Sequence, residues 1–419
     1  LAHSEADSGS LAVELADRAV CIGPAPAAGS YLNTAALLAT ATVTGCDAVH
    51  PGYGFLAENG AFADACVANG LTFIGPRGDS MRAVGQKLPA RLLAEEIGVP
   101  VVPGCEVRTG ATDGAARLGL PLLVKASAGG GGRGLRRVTT PAELEPALAE
   151  SAAEAQAAFG DGTLYVERYI ERGRHIEVQV LGDTHENVVH LHERDCTIQR
   201  RYQKLVEETP SPVLGDESRA AMTASACRLA EAVGYVGAGT VEFIFDQDSG
   251  EYFFLEMNTR LQVEHPVTEI VTGVDLVALQ LLVAAGEPLP FRQDQVVATG
   301  CAMEFRVNAE DPERGFAPTA GPVSRWRPPA GPWVRVDSHM EAGQQVPPFY
   351  DSLLAKLAVW APSRPEVLGR ARRALDEFVV EGVPTTVAFH RWLVDEADFV
   401  ASNVHTTWVD THWKGMDSP

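Results

Sequence analysis

The chain has 419 residues, 46% hydrophobic and 21% charged, a globular composition long enough for two to four cores at ~150 residues per domain. Its net charge of −21 excludes nonspecific nucleic-acid binding, which rests on cationic surface, yet leaves room for a local basic pocket that takes a small anion. No run of ~18 apolar residues occurs, the best (274–285) being broken by Asp275 and Gln280, so no membrane span is expected.

The seven cysteines are widely spaced, which suggests neither a Cys-x-x-Cys metal site nor a disulfide framework; a reducing cytoplasm is the expected compartment. The stretch from Leu1 to Asp7 lacks the basic region and apolar core of a signal peptide and has no starting Met, so a fragment is expected.

Short apolar runs first alternate with helical stretches, the pattern of a parallel α/β unit. Asp47–His50 reads as a strand end, followed by a loop through Tyr53, a helix over 61–69 stopped by Gly70, and a strand over 71–74. Residues 79–97 read as one long helix ending at Gly98. A strand over 122–126 leads into the glycine run Gly129–Gly132 with Arg133 and Gly134, and a strand over 135–138 returns. Thr140-Pro141-Ala142-Glu143 has the form of a capping box opening a helix to Phe159. Strands are expected over 163–170, 176–181 and 188–194, the last two joined by a turn at Gly182-Asp183. A helix over 216–233 with Asp216 as its cap precedes strands over 240–245 and 252–257. After about 298 the pattern suggests a separate α+β domain with a final helix over 364–380.

Four groups of residues could carry chemistry. Successive glycines let backbone N–H groups close on an anion. Lys125 before the run and Arg133 within it favour phosphate binding over a mobile linker, although the pattern is not that of the usual P-loop. If Asp248-Ser249-Gly250 is a three-residue turn, Gln247 pairs with Glu251 and Glu242 falls opposite Glu256, with Asn258 on the same face. Two carboxylates and an amide suit Mg²⁺ or Mn²⁺; a solvated sheet face is the plainer alternative. Arg260, Gln262 and Glu264 alternate before Pro266, which ends any strand; they suit an oxyanion and a base, or an ordinary polar loop. Arg194, Arg200, Arg201 and Lys204 are dense for so acidic a chain, and a solvated charged segment is the simpler reading.

Together, Lys125 to Gly134, Glu193 to Lys204, Glu256 to Pro266, His50 to Asn59 and Glu304 to Pro312 resemble the biotin carboxylases, most closely the biotin-carboxylase part of acyl-CoA carboxylase alpha subunits. The resemblance spans almost the whole chain in order. It implies an α/β and α+β multidomain ATP-grasp protein: a Rossmann-like N-terminal domain (1–85), an ATP-grasp domain (86–298) whose glycine-loop lid covers about 102–172, and a C-terminal α+β domain (299–419). It implies ATP- and bicarbonate-dependent carboxylation of N1′ of biotin, as in fatty acid biosynthesis.

By matched position, the resemblance has Lys87 and Lys125 contact ATP phosphates beneath a loop that includes Gly131 and Gly132. Glu167 and Ile170 hold adenine, with His175, Gln199 and Gln203 along the nucleotide. Lys204 meets the γ-phosphate and bicarbonate, which Arg260, Gln262 and the Val263 backbone seat. Glu242 and Glu256 bind the metal, with Asn258 near a second ion. Glu264 matches the general base; Arg306 stabilises the biotin enolate, with Tyr53 beside biotin. Two departures stand out: the first strand and glycine turn of the family are absent, and Tyr202 stands where many relatives carry His. None of the six Met residues precedes Lys, so no biotin-attachment motif is present. Biotin is expected on a carrier protein or domain, with a carboxyltransferase subunit and a homodimer as the implied assembly. Another ATP-grasp ligase or a non-catalytic nucleotide-binding subunit are the alternatives.

Overall fold

A computed structural model describes residues 1–107, 115, 117–126, 136–159 and 162–415, without the side chains of 126, 158 and 159. Strands β1 (Ala2–His3) and β2 (Val20–Cys21) pair in parallel, as do β3 (Ala48–Val49) and β4 (Thr72–Phe73). The intervening helix Gly60–Ala68 buries Phe62, Ala63 and Cys66 against Leu71 and Phe73, the crossover expected from the alternation. Gly70 closes the helix at φ +74°, which glycine adopts without a Cβ clash.

The single helix expected over 79–97 is two, Gly78–Gly85 and Lys87–Glu96, parted by Gln86 at φ −103°, ψ 129°. Pro89 accounts for the break. In a continuous helix its ring would strike the Gly85 carbonyl and offer no N–H. Restarting at Lys87 puts Pro89 in the first turn, where no N–H partner is needed, and makes Lys87 the first helical residue.

A small antiparallel sheet follows: β5 (Gly104–Val107), β6 (Leu122–Ala126), β7 (Arg136–Val138) and β8 (Leu164–Arg168), in the order β5-β8-β6-β7. Helix Pro141–Phe159 packs Leu144 and Leu148 against Leu122, Val124, Val138 and Leu164, a core of its own. Glu143 reaches back to the Thr139 and Thr140 N–H groups at 2.7 and 3.3 Å, the carboxylate half of the expected capping box. The glycine run with Gly131, Gly132 and Arg133 lies outside the described residues.

The main sheet has eight antiparallel strands: β9 (Gly173–Gly182), β10 (Val188–Arg200), β11 (Gln203–Thr209), β12 (Gly237–Asp246), β13 (Tyr252–Asn258), β14 (Cys301–Asn308), Val334–Ser338 and Leu353–Ala361. Their order is β13-β12-β9-β10-β11-β14, then Leu353–Ala361, then Val334–Ser338. Beyond 298, three small two-stranded sheets form, but the three strands Cys301–Asn308, Val334–Ser338 and Leu353–Ala361 join the main sheet: Val206↔Phe305 and Glu207↔Glu304 link β11 to β14. One face of β14 buries Met303, Phe305 and Val307 in the core that includes Val367, Leu375 and Phe389. The other face meets helix His265–Thr272, with Val267 and Val271 against Ala302.

Two expectations fail here for local reasons. Most of the charged segment Glu193–Lys204 is not solvated; β10 runs on to Arg200, and Glu193, Arg194 and Asp195 are buried inside the sheet, each facing an opposite charge, while Arg201, Tyr202 and Gln203 are exposed. Arg201 and Tyr202, at φ +48° and +67°, form the two-residue turn into β11. The β12–β13 turn is one residue longer than expected: Asp246 N–H donates to Glu251 at 2.8 Å, and Phe245 pairs with Tyr252. A bulge beside Phe243 then restores the offset, so Glu242 still faces Glu256. Gly215, rather than Asp216, is the cap of helix Asp216–Ala232. Among the described residues no single helix is long and apolar enough to cross a membrane.

Candidate active site

The polar residues gather where β9 to β14 pass beneath the loop before helix His265–Thr272. Pro266 does not merely end a strand: it stands in the first turn of this helix, and Glu264 is the residue just ahead of it, fully buried. The resulting cluster is centred on Lys204. Its ammonium lies 2.5 Å from Glu177, 2.9 Å from Glu242 and 2.6 Å from Glu264. Glu264 uses its second oxygen to accept from Arg306 at 2.9 Å, and Arg306 donates to Glu207 at 2.7 Å. One carboxylate thus joins two cations that the sequence places a hundred residues apart.

Glu242 also accepts from Asn258 at 2.8 Å and Gln262 at 3.2 Å, and His175 Nε2 lies 3.0 Å from it. Gln199 approaches the other ring nitrogen of His175 at 3.5 Å. Arg260 donates to Gln262 at 2.7 Å, to Asn258 at 3.3 Å and to Glu58 at 3.0 Å. The Val263 carbonyl accepts from Lys356 at 3.0 Å.

These contacts set the protonation states. Burial alone would raise the Glu264 carboxyl, but the charges of Lys204, Arg306 and Arg194 hold it well below the ordinary range. Glu242 is likewise lowered against its burial, chiefly by Lys204 and His175. Burial opposes the charged form of His175, yet Glu242 raises it above its usual value.

A second group lines an open cleft between the two sheets, bounded by Lys87, Lys125, Tyr165, Glu167 and Phe254. Lys125 forms an ion pair with Glu167, and Lys87 lies 3.2 Å from Glu256. Ile170 packs beside Val102 and Phe253 at the junction of the sheets. Gln203 is exposed at the start of β11, and Tyr53 is partly exposed, within electrostatic reach of Glu304 and Arg306. Gly131 and Gly132 cannot be placed, being outside the described residues. Glu242 and Glu256 are cross-strand partners, but in this conformation their carboxylates serve Lys204 and Lys87 respectively. Two carboxylates with Asn258 on one sheet face remain an all-oxygen donor set that fits a hard divalent cation.

Sequence reasoning missed Glu177, Glu207, Lys356 and Glu58. A signal existed for Glu177: in the apolar run Ile176–Leu181, Glu177 and Gln179 stand at alternate positions of a strand buried on both faces. Arg194, noted only as a cation, donates to Glu177, Gln179, Thr268 and Thr240, which satisfies it without water.

A small antiparallel sheet set over a larger one, with Lys125 of the small sheet and Lys87 of helix Lys87–Glu96 facing one cleft, defines an ATP-grasp protein. Family models match in three consecutive stretches: the biotin carboxylase N-terminal domain over 1–81, the carbamoyl-phosphate synthase L chain ATP-binding domain over 86–292, and the biotin carboxylase C-terminal domain over 304–411. A biotin carboxylase from a Nostoc species is 48% identical over 97% of this chain and 92% of its own length. A Campylobacter jejuni biotin carboxylase–beta-gamma-ATP complex superimposes with a TM-score of 0.93, at 42% identity, covering 98% of this chain and 92% of that one. A dimeric biotin carboxylase domain of Hydrogenobacter thermophilus 2-oxoglutarate carboxylase, with MgADP, ADP and bicarbonate, gives 0.91 at 43% identity, covering 98% and 91%. The chain belongs to the biotin carboxylase family of ATP-dependent ligases.

Proposed function

We propose that the chain carboxylates N1′ of biotin, using ATP and bicarbonate. The observation that carries this reading is Glu264 held at once by Lys204 and Arg306. Bicarbonate, seated by Arg260, Gln262 and the Val263 backbone, gives its proton to Glu264 and attacks the γ-phosphorus of ATP. ADP leaves and carboxyphosphate forms. It breaks down to CO₂ and phosphate, the phosphate takes the N1′ proton of biotin, and the enolate beside Arg306 captures CO₂.

Glu264 is a weak base while two cations hold it. When Lys204 turns to the γ-phosphate and bicarbonate, its charge is shared with those anions and Glu264 regains basicity. Lys87 and Lys125 leave their single carboxylate partners for the phosphates, and Glu167 and Ile170 meet the adenine, with His175, Gln199 and Gln203 along the nucleotide. Glu242 and Glu256, with Asn258, would hold Mg²⁺ or Mn²⁺, which supplies charge neutralisation between phosphate oxygens. Tyr53 flanks biotin, whose carrier is a separate protein or domain; a carboxyltransferase subunit and a second copy of this chain complete the assembly. The unpaired cysteines suit the cytoplasm.

The test is paired, measuring ADP release and carboxybiotin formation from free biotin in one mixture. Glu264→Gln is expected to lose both; Arg306→Ala is expected to lose carboxybiotin by ~10²–10³ while sparing most ADP release, because carboxyphosphate can still form and hydrolyse. Equal loss of both products in Arg306→Ala, with ADP release intact in Glu264→Gln, would reverse the assignment.

A further inference from the structure

Glu207 on β11 and Glu304 on β14 are direct cross-strand partners, both fully buried. Arg306 donates to one oxygen of Glu207 at 2.7 Å. The other Glu207 oxygen and both oxygens of Glu304 have no hydrogen-bond partner among the described residues. Side chains opposed in this way start ~4.5–5.5 Å apart at Cβ, so two buried charges there would repel strongly, with one guanidinium serving only one of them.

We infer that Glu207 and Glu304 carry a single negative charge between them, that the proton resides on Glu304, and that losing it sets the alkaline limit of biotin carboxylation. The inference rests on the proposed biotin carboxylase activity. Glu207 is the member that ionises first because Arg306 binds it, although burial raises its carboxyl to about 7. Glu304 has no such donor; burial drives it well above the carboxylate range, although Lys356 opposes the shift.

The other groups facing Glu304 are Arg306 on its own strand, Lys356 on the next, Asp337 beyond Lys356, Glu264 and His265 at the helix above, and Tyr53 from the loop after β3. Burial lowers His265 to about 3, so it stays neutral near pH 7. Asp337, despite burial, is held low by Arg335, and Tyr53 is raised by burial. Of the groups around Glu304, the Glu207–Glu304 pair is thus the one that changes charge as pH rises past neutrality. A second negative charge beside Arg306 opposes the enolate that forms there. It leaves phosphoryl transfer at Lys204 less affected, because Glu304 makes no contact with that ammonium. The sign is diagnostic: alkali by itself eases removal of the N1′ proton, so substrate titration would raise carboxylation where this pair lowers it.

Glu304 acts as a positioning residue, and its test reads the ratio of carboxybiotin to ADP from about pH 6 to about pH 9 at constant bicarbonate, with ATP, Mg²⁺ and free biotin. The native ratio is expected to fall about three- to tenfold across this range. Glu304→Gln, neutral throughout, is expected to match the native ratio at acid pH and stay flat. A native ratio that is flat or rises, or a Glu304→Gln ratio that falls like the native one, overturns the inference. Infrared titration of the native protein decides the proton independently of any variant: a buried protonated-carboxyl band should vanish with rising pH in the same range, and its absence at neutral pH counts against the pair. If no carboxybiotin forms at any pH, the proposed function fails, and the infrared band alone judges the shared proton.

Discussion

The lysines of the cleft and the lysine of the core carry the same charge in opposite settings. Lys87 and Glu256 are each about two-fifths exposed and have one another. Lys204 is nearly enclosed and has three carboxylates. An exposed pair is worth about 0–1 kcal/mol, so its cation is free to exchange a carboxylate for a phosphate at little cost. A buried cluster is expensive to break on one side, because the remaining charges are left unpaired. The difference separates ion pairs that can hand a cation to the nucleotide from a cage that holds the reacting groups in register.

The largest expected effect follows from breaking the cage. Lys204→Met leaves Glu177, Glu242 and Glu264 facing one another, and denaturant unfolding should show a loss of ~3–5 kcal/mol together with loss of bicarbonate-dependent ADP release. A variant as stable as the native protein would mean that the three carboxylates are not held by this ammonium. Lys87→Met should change stability by less than ~1 kcal/mol while raising the KM for ATP about tenfold. Unchanged KM with lowered stability would invert the comparison.

Acid sharpens it further. Glu242 and Glu264 have folded-state values below the unfolded range of ~4.5, so their contribution to stability is complete above that range and is lost as pH falls below it. Unfolding measured from about pH 5.5 to about pH 3 should show this decline in the native protein, and a shallower one in Lys204→Met, where the chief cause of the lowering is gone.

Much of the nucleotide side was legible in the chain. Lys125 at a strand end before glycines, and the alternation of Glu256 and Asn258, are local patterns with periods that a strand enforces. Glu242 was placed opposite Glu256 by a register one residue off at the turn, and a bulge cancelled the error. That agreement came from two compensating steps, since nothing in the residues 242–258 announces a bulge. Pro89 could have shown that residues 79–97 break into two helices, because its clash with the residue four back is a local rule.

The charged segment Glu193–Lys204 shows where local reading stops. By sequence it is a dense, hydrophilic stretch, and alone it would be solvated. Burial became tolerable only when Glu177, sixteen or more residues away, and Thr240 and Thr268, farther still, supplied partners for Arg194. The same holds for Arg306, whose strand lies in the stretch expected as the C-terminal domain yet pairs directly with β11.

The sequence by itself determined the family, the alternation of strands and helices, and the residue types that ATP and bicarbonate need, because these depend on spacing along one chain. Only the tertiary structure decided that Glu264 bridges Lys204 and Arg306, and that Glu207 stands against Glu304. Those contacts join strands far apart in sequence, and a buried charge has a defined state only when every neighbour that desolvates or neutralises it is in place.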